Sequence, residues 1–187
     1  FRRGNEPALI CPLTNRTWTY RTLNEEANRL ASSLMARGVT SDDVVMHALL
    51  NSAEFVFTYI ATHKIGCVNA PLNYRLSGGE IALLIDQSKP KALIYDAEFE
   101  KIISEALRSV HHRPEIIIMA DLNNEMDAPE GVVTYRDFVK DGSPENPVRK
   151  DKPSIYDETT RFFTSGTTNL PKAVPVNDIN EVLSAHD

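Results

Sequence analysis

Four short apolar runs, at residues 44–50, 67–72, 91–95 and 115–119, are separated by three stretches with helical spacing. A run that is apolar at nearly every position suits a strand covered on both faces. Neighbouring parallel strands cannot be joined by a tight turn, so a helix between them implies a crossover. The rhythm therefore predicts an α/β fold, with a mostly parallel sheet and helices on both faces.

The boundaries of the helical stretches carry their own signals. Ser52 stands before residues 53–65, and Gly66 follows them as a left-handed stop. Phe55, Val56, Phe57, Tyr59 and Ile60 surround that helix, which predicts that it is largely buried. Ser77 and Glu80 form a capping box before Ile81, Leu84 and Ile85. Residues 98–110 read as a further helix. Upstream, residues 17–20 read as a short strand, and Thr22 with Glu25 as another capping box. Leu23, Ala27, Leu30, Ala31 and Leu34 then share one helical face, with Asn24, Glu25, Asn28, Arg29 and Ser32 opposite. Arg37 and Gly38 suit the end of that helix.

Residues 121–133 are polar and irregular, and residues 135–140 read as a helical turn. Residues 141–157 carry Pro144, Pro147 and Pro153 among charges and read as a surface connector. Residues 160–164 are strand-like. No internal repeat or low-complexity segment is visible.

Composition narrows the class. The 187 residues carry 20 Lys+Arg and 26 Asp+Glu, a net charge of −6, with 42% hydrophobic and 25% charged residues. Those proportions exclude a disordered chain, a collagen-like repeat and a polybasic nucleic-acid arm. A chain this size buries about 70% of its unfolded surface, so it needs no disulfide or metal staple. Cys11 and Cys67 are too few for a disulfide framework and too far apart for a zinc knuckle. No apolar run approaches the ~18 residues of a membrane span. The chain begins at Phe1, so the natural start and any targeting signal are not visible.

One stretch carries chemistry. Thr164-Ser165-Gly166-Thr167-Thr168-Asn169-Leu170-Pro171-Lys172 holds four hydroxyls, one glycine and one lysine in nine residues. Hydroxyls and backbone N–H groups in a tight loop can surround phosphate oxygens. Gly166 permits close approach, and Lys172 adds a point charge. An ordinary Ser/Thr-rich turn has the same composition. The stretch is not a Walker loop, because Pro171 precedes Lys172 and Ala173 follows it. The chain contains no Gly-x-Gly-x-x-Gly and no Gly-x-Ser-x-Gly.

Residues 163–174 resemble the phosphate-loop signature of the adenylate-forming superfamily, which includes acyl- and aryl-CoA synthetases, luciferases and adenylation domains of peptide synthetases. Trp18-Thr19-Tyr20-Arg21-Thr22-Leu23 is similar to that family's early aromatic segment. Ile65 to Leu76, with Pro71-Leu72-Asn73-Tyr74-Arg75-Leu76, resembles its next segment in the acyl-CoA synthetase form. The resemblance spans residues 8–187. Two positions inside the signature depart from it, Asn169 and Ala173, each replacing a usual glycine; past it, Asn177-Asp178 stands where a Thr-His pair is common. Asp178 reads as the cap of a last helix starting near Ile179.

The resemblance implies the N-terminal portion of the large domain of an AMP-binding enzyme over residues 1–187, with the C-terminal domain outside this chain. It implies ATP-dependent activation of a carboxylic acid to an acyl-adenylate, then thioester formation with coenzyme A. Thr164, Ser165, Gly166, Thr167, Thr168 and Lys172 would contact the nucleotide, with Lys172 and Thr164 as the catalytic pair. Mg²⁺ would bridge phosphate oxygens, its protein carboxylate lying beyond this chain. The family's adenine, ribose and C-terminal lysine motifs have no counterpart here, so this stretch alone is expected to be inactive. The implied setting is a cytoplasmic ligase of fatty-acid metabolism with no nucleic-acid partner. Two alternatives stay open: an adenylation domain loading a carrier protein, and a non-catalytic split member acting as a binding module.

Other clusters carry weaker signals. His111-His112 point about 100° apart on a helix and suit exposure or a dipole contact better than a metal. Asp121, Asn123, Glu125 and Asp127 alternate like a calcium loop, but Met126 and Val132 stand at its glycine and bidentate positions. Asn15-Arg16-Thr17 is a glycosylation sequon. His47 and His63 lie in apolar segments and read as core or near-core residues. Arg149, Lys150 and Lys152 read as part of a solvated connector.

Overall fold

The computed structural model describes residues 3–12, 14–122, 126–164 and 171–185. Two short strands, β1 (Pro7–Cys11) and β2 (Arg16–Thr19), form an antiparallel pair. The chain continues through α1 (Tyr20–Ala36), β3 (Val44–Ala48), α2 (Ala53–Ile65), β4 (Val68–Pro71), α3 (Gly78–Ser88) and β5 (Ala92–Asp96). Next come α4 (Glu100–Ser109), β6 (Ile116–Ala120), β7 (Val133–Thr134), α5 (Tyr135–Val139), β8 (Glu158–Thr164), β9 (Lys172–Asn177) and α6 (Asp178–Ser184).

The main sheet has the order β7-β6-β5-β3-β4-β8-β9. Its pairs are parallel, except the antiparallel β8–β9 hairpin at one end. The α/β reading with a mostly parallel sheet therefore holds. Alternation along each strand sorts its side chains onto two faces. Val45, Ile94 and Ile118 meet α1, α2 and α5 on one face. Met46, Leu93, Ile117 and Met119 meet α3 and α4 on the other. Each fully buried Leu, Ile or Phe contributes roughly 1.5–3 kcal/mol relative to exposure.

Several local readings need correction. α1 starts at Tyr20, and its capping box is Thr19 with Thr22, not Thr22 with Glu25. The Thr22 N–H donates to Thr19 Oγ1 at 3.2 Å, and the Thr19 N–H to Thr22 Oγ1 at 2.9 Å. Asn28, expected on the polar face of α1, is fully buried. Its Nδ2 donates to the Pro144 carbonyl at 2.6 Å, and Arg29 Nη1 donates to the Gly142 carbonyl at 2.9 Å. That face of α1 is covered by residues 141–157, which contain no helix or strand. α2, by contrast, is largely buried as expected: Phe57, Ala61 and Ile65 are covered, and Tyr59 is its one exposed residue.

The predicted caps of α2 and α3 are present. Ser52 Oγ accepts from the Phe55 N–H, and Ser77 with Glu80 forms its capping box. Gly66 ends α2 at φ +83°. The Arg149 guanidinium lies where a Cβ on Gly66 would stand, against the carbonyl end of α2. Arg149 is thus held against the body by its head group and paired with Asp151, not loosely solvated as expected. The last helix is capped by Asn177, with Asn180 completing a capping box, so Asp178 is its first helical residue rather than its cap.

Candidate functional site

β8 follows β4 in parallel, with Asn69 facing Thr160, and β9 returns beside it. Thr164, the last residue of β8, stands opposite Lys172, the first of β9. Thr164 Oγ1 donates to the Lys172 carbonyl at 3.5 Å. Both residues are exposed. They occupy the carboxyl end of the parallel strands, where open α/β sheets bind ligands. Among the described residues no carboxylate pairs with the Lys172 ammonium. Its charge is available to an anion at the mouth of the hairpin. Ser165, Gly166, Thr167 and Thr168, the other predicted phosphate contacts, lie outside the described residues, as does Asn169.

Ala173 sits inside β9 opposite Phe163 and is half-buried. Its methyl is accommodated as an ordinary strand side chain. Pro175 stands in β9, at the end of the sheet, where a missing N–H is tolerated.

The base of the hairpin carries a second polar arrangement that the sequence did not announce. Glu181 of α6 accepts hydrogen bonds from Tyr59 Oη at 2.6 Å, Thr159 Oγ1 at 2.8 Å and Thr160 Oγ1 at 2.7 Å. His63 Nε2 lies 3.0 Å from the same carboxylate. Burial works against the Glu181 charge, but the bonds from Tyr59, Thr160 and Thr159 and the nearby His63 outweigh it. They hold the carboxyl down at about 2. Burial, the bond to Glu181 and its charge push the Tyr59 hydroxyl above its usual range.

Next to this, His47 is buried in β3, with Nε2 3.1 Å from Asn69 Oδ1 and its ring edge-on to Phe55. Burial lowers its pKa to about 4 against the weaker effect of Asn69, so it is neutral. The expectation of a packed core histidine holds for His47. Burial pushes the Cys67 thiol up to about 12, which makes it inert.

Other acidic and histidine groups sit elsewhere. Asp96, at the carboxyl end of β5, accepts from the Leu50 N–H, and burial raises its pKa to about 6. With Glu98 it lines a cleft of about 100 Å³. Carboxylates there disfavour phosphate, leaving the hairpin mouth as the anion-compatible end. His111 and His112 are held by Asp86 of α3, which accepts from both backbone N–H groups and from His111 Nδ1, each at 2.8 Å. The His111 side chain is exposed, as expected, and Asp86 rather than a helix dipole is its partner. Among the described residues no three His, Cys, Asp or Glu side chains gather to hold a metal ion. Among them, too, no helix is long and apolar enough to cross a membrane.

The sequence model of the family described as AMP-binding enzyme matches residues 2–186. The chain belongs to the AMP-binding enzyme family. Among curated relatives, the 4-hydroxybutyrate–CoA ligase 2 of Metallosphaera sedula is 33% identical over 161 residues, covering 84% of this chain and 29% of that protein. A crotonobetaine/carnitine–CoA ligase of Citrobacter koseri is 31% identical, covering 95% of this chain and 34% of that protein. The chain thus spans about a third of the length of these relatives. Among solved structures, the inhibitor-bound N-terminal domain of FACL13 from Mycobacterium tuberculosis superposes with a TM-score of 0.77 at 26% identity, covering 95% of this chain and 42% of that one. The anthranilate CoA ligase AuaEII, solved with anthranoyl-AMP, shares the fold with a TM-score of 0.89 over 99% of this chain and 34% of that one, at 24% identity.

The family membership bears out the resemblance carried by residues 163–174. Sequence reasoning missed Glu181, Thr159 and Thr160. With the cap placed at Asn177, Glu181 falls at the end of the first turn of α6, facing α2 and β8. No local pattern marks a carboxylate whose partners lie on other elements, Thr159 and Thr160 about twenty residues away and Tyr59 and His63 more than a hundred.

Proposed function

We propose that the whole protein joins a carboxylic acid to ATP, forming an acyl-adenylate and pyrophosphate, and then passes the acyl group to the thiol of coenzyme A with release of AMP. The observation that supports this most is the pairing of Thr164 with Lys172 at the roots of a hydroxyl-rich loop, in a chain of the AMP-binding family. A carboxylate oxygen attacks the α-phosphorus, and the bond to the bridging oxygen of the leaving pyrophosphate breaks. Negative charge grows on that leaving group, so donors and a cation aimed at it lower the barrier. Lys172 supplies the cation. Thr164, Ser165, Gly166, Thr167 and Thr168 supply hydroxyl and N–H donors to the β- and γ-phosphates.

The described residues offer no carboxylate set suited to Mg²⁺. The metal would travel with the nucleotide phosphates, and no step here depends on a protein ligand for it. The relatives are named for chemically different acids, a hydroxyalkanoate and a carnitine among them. The acid therefore stays at the level of its class. The 187-residue stretch alone is proposed not to make acyl-adenylate.

The thioester step is tested by giving the whole protein ATP, an acid and either coenzyme A or a carrier protein. Acyl-CoA is the expected product. Acyl transfer to the carrier alone would replace coenzyme A with a carrier-loading role. Lys172→Ala tests the phosphate site. The side chain is exposed, so folding should be kept while adenylation slows by roughly 10–100-fold. An unchanged rate would remove Lys172 from the reaction.

A further inference from the structure

The Glu181 carboxylate collects donors from two elements besides its own. Tyr59 and His63 of α2 approach Oε2, and Thr159 and Thr160 of β8 donate to Oε1. Two groups approach each oxygen, close to the acceptor capacity of a carboxylate, with the Thr159 hydroxyl also near the Val176 carbonyl. A glutamine could not replace it fully, because its amide nitrogen would face two donors. The group is only about one-fifth exposed, so these contacts are partly shielded from water.

The position of this knot matters. The β4–β8 ladder rests on one residue pair, Asn69 with Thr160. The hairpin joins the sheet along β4, and its far end carries Thr164 and Lys172. Thr160 lies four residues before Thr164, about 13 Å along a strand. On the returning strand, Asn177 ends β9 and caps α6, which brings Glu181 back beside Thr160. One carboxylate thus ties both legs of the hairpin to α2, whose own anchor is the packing of Phe57, Ala61 and Ile65. Without it, the hairpin can pivot about the Asn69–Thr160 bridge. A small rotation at the base becomes a larger displacement at the tip.

We propose that Glu181 is a positioning residue for the phosphate-binding hairpin, fastening β8 and α6 to α2 so that Thr164 and Lys172 hold the loop where the nucleotide phosphates bind. This rests on the nucleotide role assigned above. Glu181 touches no reacting atom. Its effect runs through the placement of the loop, where a shift of about 1 Å is enough to slow a reaction many-fold.

The test is equilibrium binding of MgATP to the whole protein, with the KM for the acid and the melting temperature measured alongside. Glu181→Ala should weaken MgATP binding by about tenfold and leave the acid KM within about twofold. Glu181→Gln keeps one acceptor oxygen for the threonine pair and should recover part of the loss. If Glu181→Ala does not fold, Tyr59→Phe and Thr160→Val each remove one donor and should weaken MgATP binding in the same direction. Wild-type affinity for MgATP in the folded variants would overturn the proposal, whatever their melting temperatures. So would an equal loss for MgATP and acid that follows the loss of stability. A wild-type protein that binds no MgATP would instead remove the functional reading on which the proposal stands.

Discussion

Gly142 is required by a contact rather than by its own backbone. A methyl there would stand 2.3 Å from the Arg29 carbonyl oxygen, which belongs to α1 and cannot move aside. Gly142→Ala should lift residues 141–157 from α1 and cost about 1–3 kcal/mol in urea unfolding. A loss well under that range would mean the segment is not held at this point. His47 makes a pH prediction. Its pKa is lowered from 6.5 to about 4 by burial, so between those values the unfolded chain binds a proton that the folded chain refuses. Its contribution is complete above pH 6.5 and lost as the pH falls towards about 4. His47→Gln should flatten the stability-against-pH curve in that window, and an unchanged slope would contradict the assignment. The burial of His47 was legible from its apolar run. The burial of Asn28 was not, because the carbonyl that satisfies it belongs to Pro144, far along the chain.

At the scale of elements, signals that act within one turn were readable. Ser52, Gly66, Ser77 and Glu80 bound their helices because capping involves groups three or four residues apart. Ser77→Ala should therefore cost about 1 kcal/mol, read as a lower urea midpoint at unchanged slope. No loss would mean that Glu80 alone caps α3. The α1 boundary was misread because Thr17, Thr19 and Thr22 lie close together around it. Thr19 serves as the cap because β2 delivers it in an extended conformation, at φ −76° and ψ 168°. α6 shifted by one residue for a similar reason: Asn177 ends β9 extended and its side chain accepts from the Asn180 N–H.

At the scale of the whole molecule, the apolar runs foretold the parallel strands, while their order was not encoded locally. β8 lies next to β4 although a long stretch, with no partner signal of its own, separates them. The hydroxyl-rich stretch at residues 164–172 stood out because its residue types and spacing suit one ligand chemistry, the proposed binding of phosphate. The knot at Glu181 was not, because it is assembled from three distant elements. Phe162 and Val174, opposite each other across β8 and β9, stay exposed, so the hairpin face beside the loop is apolar and open. The central claim is that this hairpin serves carboxylate activation. Its most direct test is carboxylate-dependent exchange of labelled pyrophosphate into ATP by the whole protein across a broad panel of acids. The account predicts exchange that requires an acid and is strongly reduced in Lys172→Ala. A folded protein that supports no exchange with any acid would contradict it.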